Sequence, residues 1–330
     1  PPEADHEALL LDYRTHQRRL LPDLATTYAL HFAQAESVAT THRVFTDDDF
    51  PDDDRRMLET RAAAIKAMAT WHATHTVQEC REACGGLGYL SVNRFAALKA
   101  DSDVFTTFEG DNLVLRQLVA KNLLTDFRDE LGELDPLGTV AFYAGQIFEV
   151  IAERSAAREL VGRLADDLLP FRGDEPDLLD REHQLHLFEW REEHMRSAAA
   201  RRLQRGIGGG GDPFRVLIDT QDHVVDVARV HTEKIVLQSF ARAVESCDDA
   251  TTKEVLDQLC SLYALWHVEK DRGWFQEHGK LSSTASKAVL KAVNTLCEEL
   301  RPHAAALVDA FGIPEAQLPL PANSEVALAQ

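Results

Sequence analysis

The chain has 330 residues, with 35 Lys and Arg against 55 Asp and Glu, a formal net charge of −20 and 45% hydrophobic residues. This length provides for one large or two ordinary domains with a substantial core, and the composition argues against a disordered chain. The acidic excess repels a phosphate backbone, so we expect no nucleic-acid partner. No apolar run approaches the ~20 residues that span a bilayer, so we expect no membrane partner.

Helical periodicity dominates the sequence, with few alternating apolar and polar runs, so we predict an all-α fold. In the first half we predict helices over residues 9–40, over a second segment that ends at Gly85 and Gly86, and over residues 110–124. Pro22 should kink the first helix because proline lacks the amide that the helical ladder needs. Glycine readily takes the left-handed conformation that closes a helix, which explains the predicted end at Gly85. A loop through Asn93 and Arg94 is predicted to follow.

A change in composition marks the boundary between two predicted domains. Residues 128–138 contain two glycines and a proline, which is typical of an interdomain linker. We therefore predict a helical bundle over residues 1–127 and a second helical domain over residues 139–330. The second domain is predicted to hold helices near residues 140–168, 177–205, 213–247, 251–272 and 281–311.

Aromatic and histidine side chains are frequent in the second half of the chain. We predict that the aromatic ones pack between helices rather than around a ligand; they are Phe188, Trp190, Trp266, Trp274 and Phe275. Three histidines on one acidic helix are predicted to face solvent: His183, His186 and His194. Neither set predicts a ligand site.

Glu109 is the sharpest candidate for chemistry in the first half. It lies between the apolar Phe105 and Phe108 and a leucine-rich helix, and the glycine after it frees the backbone to turn. A carboxylate in an apolar pocket has the raised proton affinity that a general base needs at neutral pH, whereas a nearby helix N-terminus lowers it. The alternative, that Glu109 only caps the helix beginning at Gly110, stays open.

One histidine spacing could hold a metal. His72 and His75 lie one helical turn apart, with Glu79 a further turn on, as in a zinc site or one half of a helix-bundle carboxylate site. A di-metal site needs Glu-x-x-His motifs on two helices, and the only such spacing here runs from Glu3 to His6. We therefore expect no metal and predict satisfied or surface histidines.

Three separated motifs follow one another along the chain. Residues 10–22 begin Leu-Leu-Asp-Tyr-Arg-Thr-His-Gln, residues 84–89 are Cys-Gly-Gly-Leu-Gly-Tyr, and residues 108–112 are Phe-Glu-Gly-Asp-Asn. They resemble the first C-terminal bundle helix, the flavin-side Gly-Gly-x-Gly-Tyr turn and the Tyr/Phe-Glu-Gly-Asp-Asn segment of the acyl-CoA oxidase and acyl-CoA dehydrogenase superfamily. The helical second half, as far as Pro314, resembles the additional C-terminal domain of the oxidases.

The resemblance implies a fold, a cofactor and a reaction. The fold would be an acyl-CoA dehydrogenase-type C-terminal helical bundle followed by a second helical domain of the acyl-CoA oxidase type. Glu109 would remove the pro-R α-proton of an acyl-CoA thioester while the β-hydrogen leaves as a hydride to FAD, giving a trans-2-enoyl-CoA in fatty-acid β-oxidation. The residues implied in FAD binding are His16, Gln17, Gly85, Gly86, Asp111 and Asn112, and those implied in substrate binding are Phe108 and Gly110.

The same family carries an N-terminal helical domain and a middle β-domain, and neither is found in these 330 residues. We therefore expect a truncated chain or one subunit of a split enzyme, which alone binds little or no FAD. We expect a homodimer or higher oligomer, because the family residues that match His16 and Gln17 approach the FAD of the neighbouring subunit. The alternative left open is a non-catalytic oligomerisation subunit or fragment that completes a partner's flavin site.

Cysteine content and the last residues bear on the compartment. Five scattered cysteines, an odd number, favour free thiols in a reducing compartment over a disulfide framework. The segment Ala327 to Gln330 lacks a Ser-Lys-Leu peroxisomal address. We therefore predict the cytoplasm of a bacterium, with the peroxisome as the less favoured location.

Overall fold

The computed structural model describes residues 8–46, 51–132 and 177–314. Within these ranges the chain forms ten α-helices and several 3₁₀ turns but no strand, which confirms the predicted all-α fold. None of these helices is both long and apolar enough to cross a membrane. The helices are α1 (Arg14–Thr46), α2 (Asp52–Ala83), α3 (Phe95–Asp103), α4 (Asn112–Gly132), α5 (Arg181–Gly208), α6 (Pro213–Glu245), α7 (Ala250–Lys270), α8 (Arg272–Glu277), α9 (Ser283–Leu300) and α10 (Ala304–Asp309).

The helices differ from the predicted ones at three places, for local reasons. Helix α1 runs through Pro22 and extends to Thr46, beyond its predicted end. The sequence analysis missed α3, which begins directly after the left-handed Arg94 (φ 59°). The single helix predicted over residues 281–311 is wrong, because Pro302 cannot continue the α-helical ladder and a 3₁₀ turn separates α9 from α10. The helix predicted over residues 140–168 lies outside the described residues.

Two compact units make up the described residues, and each draws on both halves of the sequence. Unit 1 lies within Pro1–Leu115, Val236–Tyr263 and Asn294–Gln330, and unit 2 within Arg116–Ile235 and Ala264–Val293. The predicted division instead placed one domain on each side of residues 128–138. Helix α4 continues into the first part of that segment, and its remainder is not among the described residues. The predicted domain boundary therefore stays a prediction.

Small side chains and long-range polar contacts hold α1 within unit 1. Ala25, Ala29 and Ala33 recur every four residues along α1 and are fully buried, so one face of the helix allows close packing. The Tyr28 hydroxyl donates a hydrogen bond to the carbonyl of Leu307 at 2.7 Å, across 279 positions of sequence. All five cysteines of the chain are free, as predicted.

A pair of acidic residues near the end of α2 fixes that helix to α1. Arg19 on α1 forms an ion pair with Glu79 at 2.5 Å and a second ion pair with Glu82. Because α2 ends at Ala83, directly after Glu82, these two ion pairs hold the segment that leads into the glycine-rich turn. The guanidinium thus joins the two longest helices of unit 1 at the place where α2 stops.

Unit 2 encloses a network of charged side chains. Arg191 is fully buried and bonds to Glu233 at 2.6 Å and to Asp271 at 2.6 Å, while its guanidinium lies 4.7 Å from the centre of the Phe188 ring. Arg229 bonds to the same two carboxylates. Burial alone would raise the pKa of Glu233, but the surrounding cationic groups hold it well below its usual range. The carboxylate is therefore charged inside the protein.

A cluster of rings in unit 2 corrects one prediction and supports another. Trp190 packs against Trp274 with ring centres 5.4 Å apart, as expected for packing residues. His194 was predicted to face solvent, but it lies 5.0 Å from Trp190 and 4.5 Å from His278. Burial, with the positive charge of nearby groups, lowers the pKa of His194 to about 4. This histidine is a neutral packing residue at physiological pH.

The buried network predicts a large effect at Arg191. Arg191→Met should lower the free energy of unfolding by about 3–5 kcal/mol, because Glu233 and Asp271 would lose a buried counter-charge. Arg14→Met is the control, since the Arg14–Glu298 pair is more than half exposed and such pairs contribute at most about 1 kcal/mol. Urea-induced unfolding of the purified protein measures both. Equal losses in the two variants would contradict the assignment.

Candidate active site

Helix α2 ends in the glycine-rich turn that the sequence predicted. Cys84 caps the helix, and Gly85 follows with φ 56°, the left-handed conformation expected of a helix-closing glycine. A 3₁₀ turn then spans Gly85–Tyr89. The side-chain amide of Asn93 donates to the carbonyl of Leu87 at 2.7 Å and holds this turn from the other side.

Two glycines of this turn are constrained in opposite ways. A Cβ atom at Gly88 would lie 1.9 Å from the carbonyl oxygen of Arg81, so only glycine fits there. A Cβ atom at Gly86 would meet no protein atom within 4 Å, and its φ is not left-handed. Gly88 is therefore required by the packing of the chain itself, whereas the described residues give no such reason for Gly86.

Glu109 stands on a strained turn immediately before α4. Its φ is 54°, in the left-handed region that non-glycine residues rarely adopt, and Gly110 follows at φ 105°. Among the described residues, neither the Glu109 carboxylate nor its backbone N–H has a hydrogen-bonding partner. The side chain is exposed, so the apolar pocket predicted around it is not closed by these residues. Glu109 therefore has polar groups that no described residue occupies.

Asp111, and not Glu109, caps helix α4. A carboxylate oxygen of Asp111 accepts the backbone N–H of Leu113 at 2.9 Å, and its carbonyl accepts that of Leu115 at 2.9 Å. The alternative reading of Glu109 as a helix cap is therefore wrong. Asp111 was predicted to meet the flavin; its cap contact uses one carboxylate oxygen and leaves the residue exposed.

Lys66 on α2 holds the residues that follow Glu109. Its ammonium donates to the carbonyl of Gly110 at 2.6 Å and to the side-chain oxygen of Asn112 at 2.9 Å. Asn112 is only 1% exposed and also donates to Thr70 at 2.8 Å and to the carbonyl of Ala67 at 3.3 Å. A direct contact between Asn112 and a flavin, as predicted, would require this corner to open.

Apolar side chains surround the Glu109 turn at the protein surface. Phe105 and Phe108 meet edge to face with ring centres 6.4 Å apart, and both are about half exposed. Three further apolar residues close to Glu109 in the sequence are exposed to a similar degree: Val104, Leu113 and Val114. Exposed apolar side chains that lie next to one another are a feature of binding surfaces.

His16 and Gln17, the predicted flavin contacts, lie in the first turn of α1. Gln17 is buried, and its side-chain amide donates to the carbonyl of Leu11 at 3.0 Å. His16 is partly buried. Among the described residues, neither side chain hydrogen-bonds to the glycine-rich turn or to the Glu109 turn. Their predicted role toward a neighbouring subunit stays a prediction.

The sequence analysis missed Lys66 and Gly88. Lys66 stands between Ile65 and Ala67 in an alanine-rich, largely apolar run, and a cation in such surroundings needs a partner. That signal was available in the sequence, although the identity of the partner was not. Gly88 could only be separated from Gly86 once the position of the Arg81 carbonyl was known.

Comparison with known families assigns both parts of the chain. Residues 2–124 match the family described as "Acyl-CoA oxidase, C-alpha1 domain", and residues 180–319 match the family described as "Acyl-CoA oxidase". Together the two matches cover well over half of the chain.

The chain belongs to the acyl-CoA oxidase family. This confirms the resemblance drawn from the three motifs, and the family is FAD-dependent. Peroxisomal acyl-coenzyme A oxidase 2 of Arabidopsis thaliana is 33% identical over 322 residues, which cover 95% of this chain and 43% of that protein. The chain spans less than half the length of the curated oxidases it matches.

Solved oxidase structures share the fold. Acyl-CoA oxidase 3 from Yarrowia lipolytica superimposes with a TM-score of 0.78 at 27% identity, covering 98% of this chain and 45% of that one. Acyl-CoA oxidase-1 from Caenorhabditis elegans, solved with FAD and ATP, gives a TM-score of 0.79 at 22% identity, covering 97% of this chain and 46% of that one. At that lower identity the likeness concerns the fold alone.

The predicted location in a bacterial cytoplasm is wrong. The Arabidopsis acyl-CoA oxidase 2 is named peroxisomal, and two further acyl-CoA oxidases of the same plant carry the same word. These eukaryotic relatives point to the peroxisome. Ser-Lys-Leu is one short address, and its absence does not assign a protein to the cytoplasm.

The glycine-rich turn of this acyl-CoA oxidase chain predicts unequal effects of two small substitutions. Gly88→Ala should lower the free energy of unfolding by about 1–3 kcal/mol, because the new methyl group collides with the Arg81 carbonyl. Gly86→Ala should leave it unchanged, since the added methyl group meets no protein atom. Thermal unfolding followed by circular dichroism compares the two variants. An equally stable Gly88→Ala variant would show that the turn does not pack as described.

Proposed function

We propose that this chain carries the catalytic base of an FAD-dependent acyl-CoA oxidase. The reaction is the α,β-desaturation of an acyl-CoA thioester to a trans-2-enoyl-CoA, the first oxidation in fatty-acid β-oxidation. Membership of the acyl-CoA oxidase family supports the reaction class. The proposal assigns the proton-transfer part of the reaction to Glu109.

The exposure, the backbone conformation and the unoccupied polar groups of Glu109 support the proposal. Glu109 is exposed, and neither its carboxylate nor its backbone N–H has a hydrogen-bonding partner among the described residues. Its left-handed backbone costs about 1–3 kcal/mol, because it is not a glycine. Strain of this kind is found where function requires a particular direction of the side chain. A cap role would have explained the position of Glu109, but Asp111 already fills it.

Two groups of Glu109 act on the substrate in this scheme. The carboxylate accepts the α-proton of the thioester, and the electron pair left behind forms the new α,β-double bond as the β-hydrogen departs with its own pair. The backbone N–H donates to the thioester carbonyl oxygen, where negative charge develops as the α-proton leaves. Phe108 and Gly110 flank this position and contact the reacting part of the acyl-CoA.

The residues of the glycine-rich turn fit the cofactor of the family. The Cβ position of Gly86 faces open space, so a flat ligand can approach the backbone there as closely as glycine allows. FAD, when bound, supplies the acceptor for the hydride that leaves the β-carbon. Gly85 and Gly86 provide the backbone surface for it, and exposed Asp111 provides a polar contact.

A dimer or higher oligomer is part of the proposal. Among the described residues the side chains of His16 and Gln17 make no hydrogen bond to either turn of their own chain, and the proposal assigns this edge of α1 to the flavin site of a neighbouring subunit. The exposed apolar side chains around Glu109 support a site that further protein or ligand covers. The rival proposal, a non-catalytic subunit, makes the identity of residue 109 unimportant for turnover.

Glu109→Gln tests the catalytic base directly. In the FAD-loaded holoenzyme that contains this chain, we expect kcat to fall by about 10²–10⁴-fold, because the amide cannot accept the α-proton. Formation of enoyl-CoA and release of hydrogen peroxide measure turnover. Exchange of α-deuterium from labelled acyl-CoA into water measures proton abstraction separately. FAD content should stay unchanged.

Glu59→Gln is the matched control for this experiment. Glu59 lies on α2 in the same unit, is exposed and makes no hydrogen bond or ion pair among the described residues, so the Glu59→Gln variant should turn over at the rate of the unmodified enzyme. Normal turnover and normal deuterium exchange in Glu109→Gln would refute the assignment of the base. That outcome would favour the non-catalytic subunit.

Gly86→Ala tests the cofactor surface. We expect the affinity of the apoenzyme for FAD to fall by about tenfold, corresponding to about 1.4 kcal/mol, because the methyl group occupies space that only a ligand would fill. Quenching of flavin fluorescence during titration measures the affinity. Gly273→Ala is the control, since its added methyl group also meets no protein atom. Equal affinities for both variants would place the flavin elsewhere.

A further inference from the structure

The strained turn at Glu109 must be stabilised by contacts from residues outside it. Two consecutive residues, Glu109 and Gly110, have positive φ angles. This conformation is strained at Glu109, because Glu109 carries a side chain. The backbone N–H of Glu109 makes no bond within the described residues that would fix the turn from inside. The direction of the Glu109 side chain therefore depends on contacts made by the residues after it.

Lys66 provides the contact on the backbone itself. Its ammonium lies 2.6 Å from the Gly110 carbonyl oxygen, and that oxygen belongs to the peptide group directly after Gly110. A second bond from the same ammonium, 2.9 Å long, reaches buried Asn112 at the first position of α4. One cation thus ties the turn and the start of α4 to helix α2.

We infer that Lys66 is a positioning residue for Glu109. By fixing the orientation of the Gly110 carbonyl, Lys66 selects one orientation of the peptide chain through the turn, and with it the direction of the Glu109 carboxylate and N–H. The inference rests on the proposed role of Glu109 as the base. Lys66 itself touches neither substrate nor flavin in this scheme, so its effect on catalysis passes entirely through the turn.

The chemistry of the contact explains why a lysine is suited to it. An ammonium has three donors and no acceptor, and two of the three are used here on oxygen atoms that belong to different parts of the turn. A methionine at this position is unbranched and one atom shorter than lysine, and it loses every donor. An arginine keeps the charge and the donors but spreads them over a planar group.

The effect should appear in kcat and not in binding. A misplacement of about 1 Å of a catalytic group costs on the order of 10²-fold in rate, whereas most of the contact surface of an acyl-CoA lies away from the reacting carbon. Loss of the Lys66 contact therefore lowers the rate of α-proton removal. The KM for acyl-CoA and the affinity for FAD should change by less than about twofold.

The experiment compares Lys66→Met, Lys66→Arg and Lys99→Met in the FAD-loaded holoenzyme that contains this chain. We expect Lys66→Met to lower kcat and the rate of α-deuterium exchange by about 10–100-fold, with KM and FAD content unchanged. Lys66→Arg should recover part of that loss because it restores donors. Lys99 also bridges two groups of unit 1, Thr74 and Asp103, so Lys99→Met should keep full turnover.

A double variant separates positioning from general damage. In the Glu109→Gln background, Lys66→Met should cause no further loss of kcat, because a positioning residue has nothing left to position. An unchanged kcat in Lys66→Met would overturn the inference. So would a rise in KM and a loss of FAD affinity as large as the fall in kcat. If Lys66→Met does not fold, Lys66→Gln, which keeps a donor without the charge, decides by the same criteria.

The outcomes for Lys66 and for Glu109 are distinguishable. Full turnover in Glu109→Gln refutes the proposed base, and the positioning role of Lys66 is refuted with it. An inactive Glu109→Gln enzyme combined with normal turnover in Lys66→Met refutes the positioning role alone. Each result is read from the same two assays, hydrogen peroxide release and α-deuterium exchange.

Discussion

The contact between the Lys66 ammonium and the Gly110 carbonyl is the interaction on which the arrangement of the candidate site depends. It holds a left-handed turn that would otherwise relax, and it does so from helix α2. The same helix packs against α1, against α3, against the glycine-rich turn and against the 3₁₀ turn Val104–Thr106. The candidate functional segments of unit 1 are therefore positioned by one helix.

A single helix gives the site a fixed length. Lys66 and Glu82 are 16 positions apart, so at 1.5 Å per residue they lie about 24 Å apart along the axis of α2. Lys66, near the middle of α2, holds the Glu109 turn. The ion pair between Glu82 and Arg19 secures the C-terminal end of α2, just before the glycine-rich turn. A loop between these two positions would allow their separation to vary, whereas a helix does not.

Local signals in the sequence predicted local structure well, and long-range structure poorly. The end of α2 at Gly85 followed from the backbone freedom of glycine, and the family motifs carried the position of Glu109. The hydrogen bond from Tyr28 to Leu307 joins residues 279 positions apart, and no sequence pattern around either residue predicts it. The break at Pro302 has a local signal in the proline itself, although the helical periodicity continues on both sides of it.

The case of Lys66 shows what kind of sequence signal precedes a structural answer. A lysine inside an apolar stretch of a helix loses hydration when that face packs, and the loss must be offset by acceptors from elsewhere. The partly buried ammonium on α2 meets this requirement with a backbone carbonyl and an amide oxygen, both neutral. A lysine in an apolar run therefore predicts that some other segment supplies hydrogen-bond acceptors for it. Only the fold shows which segment that is.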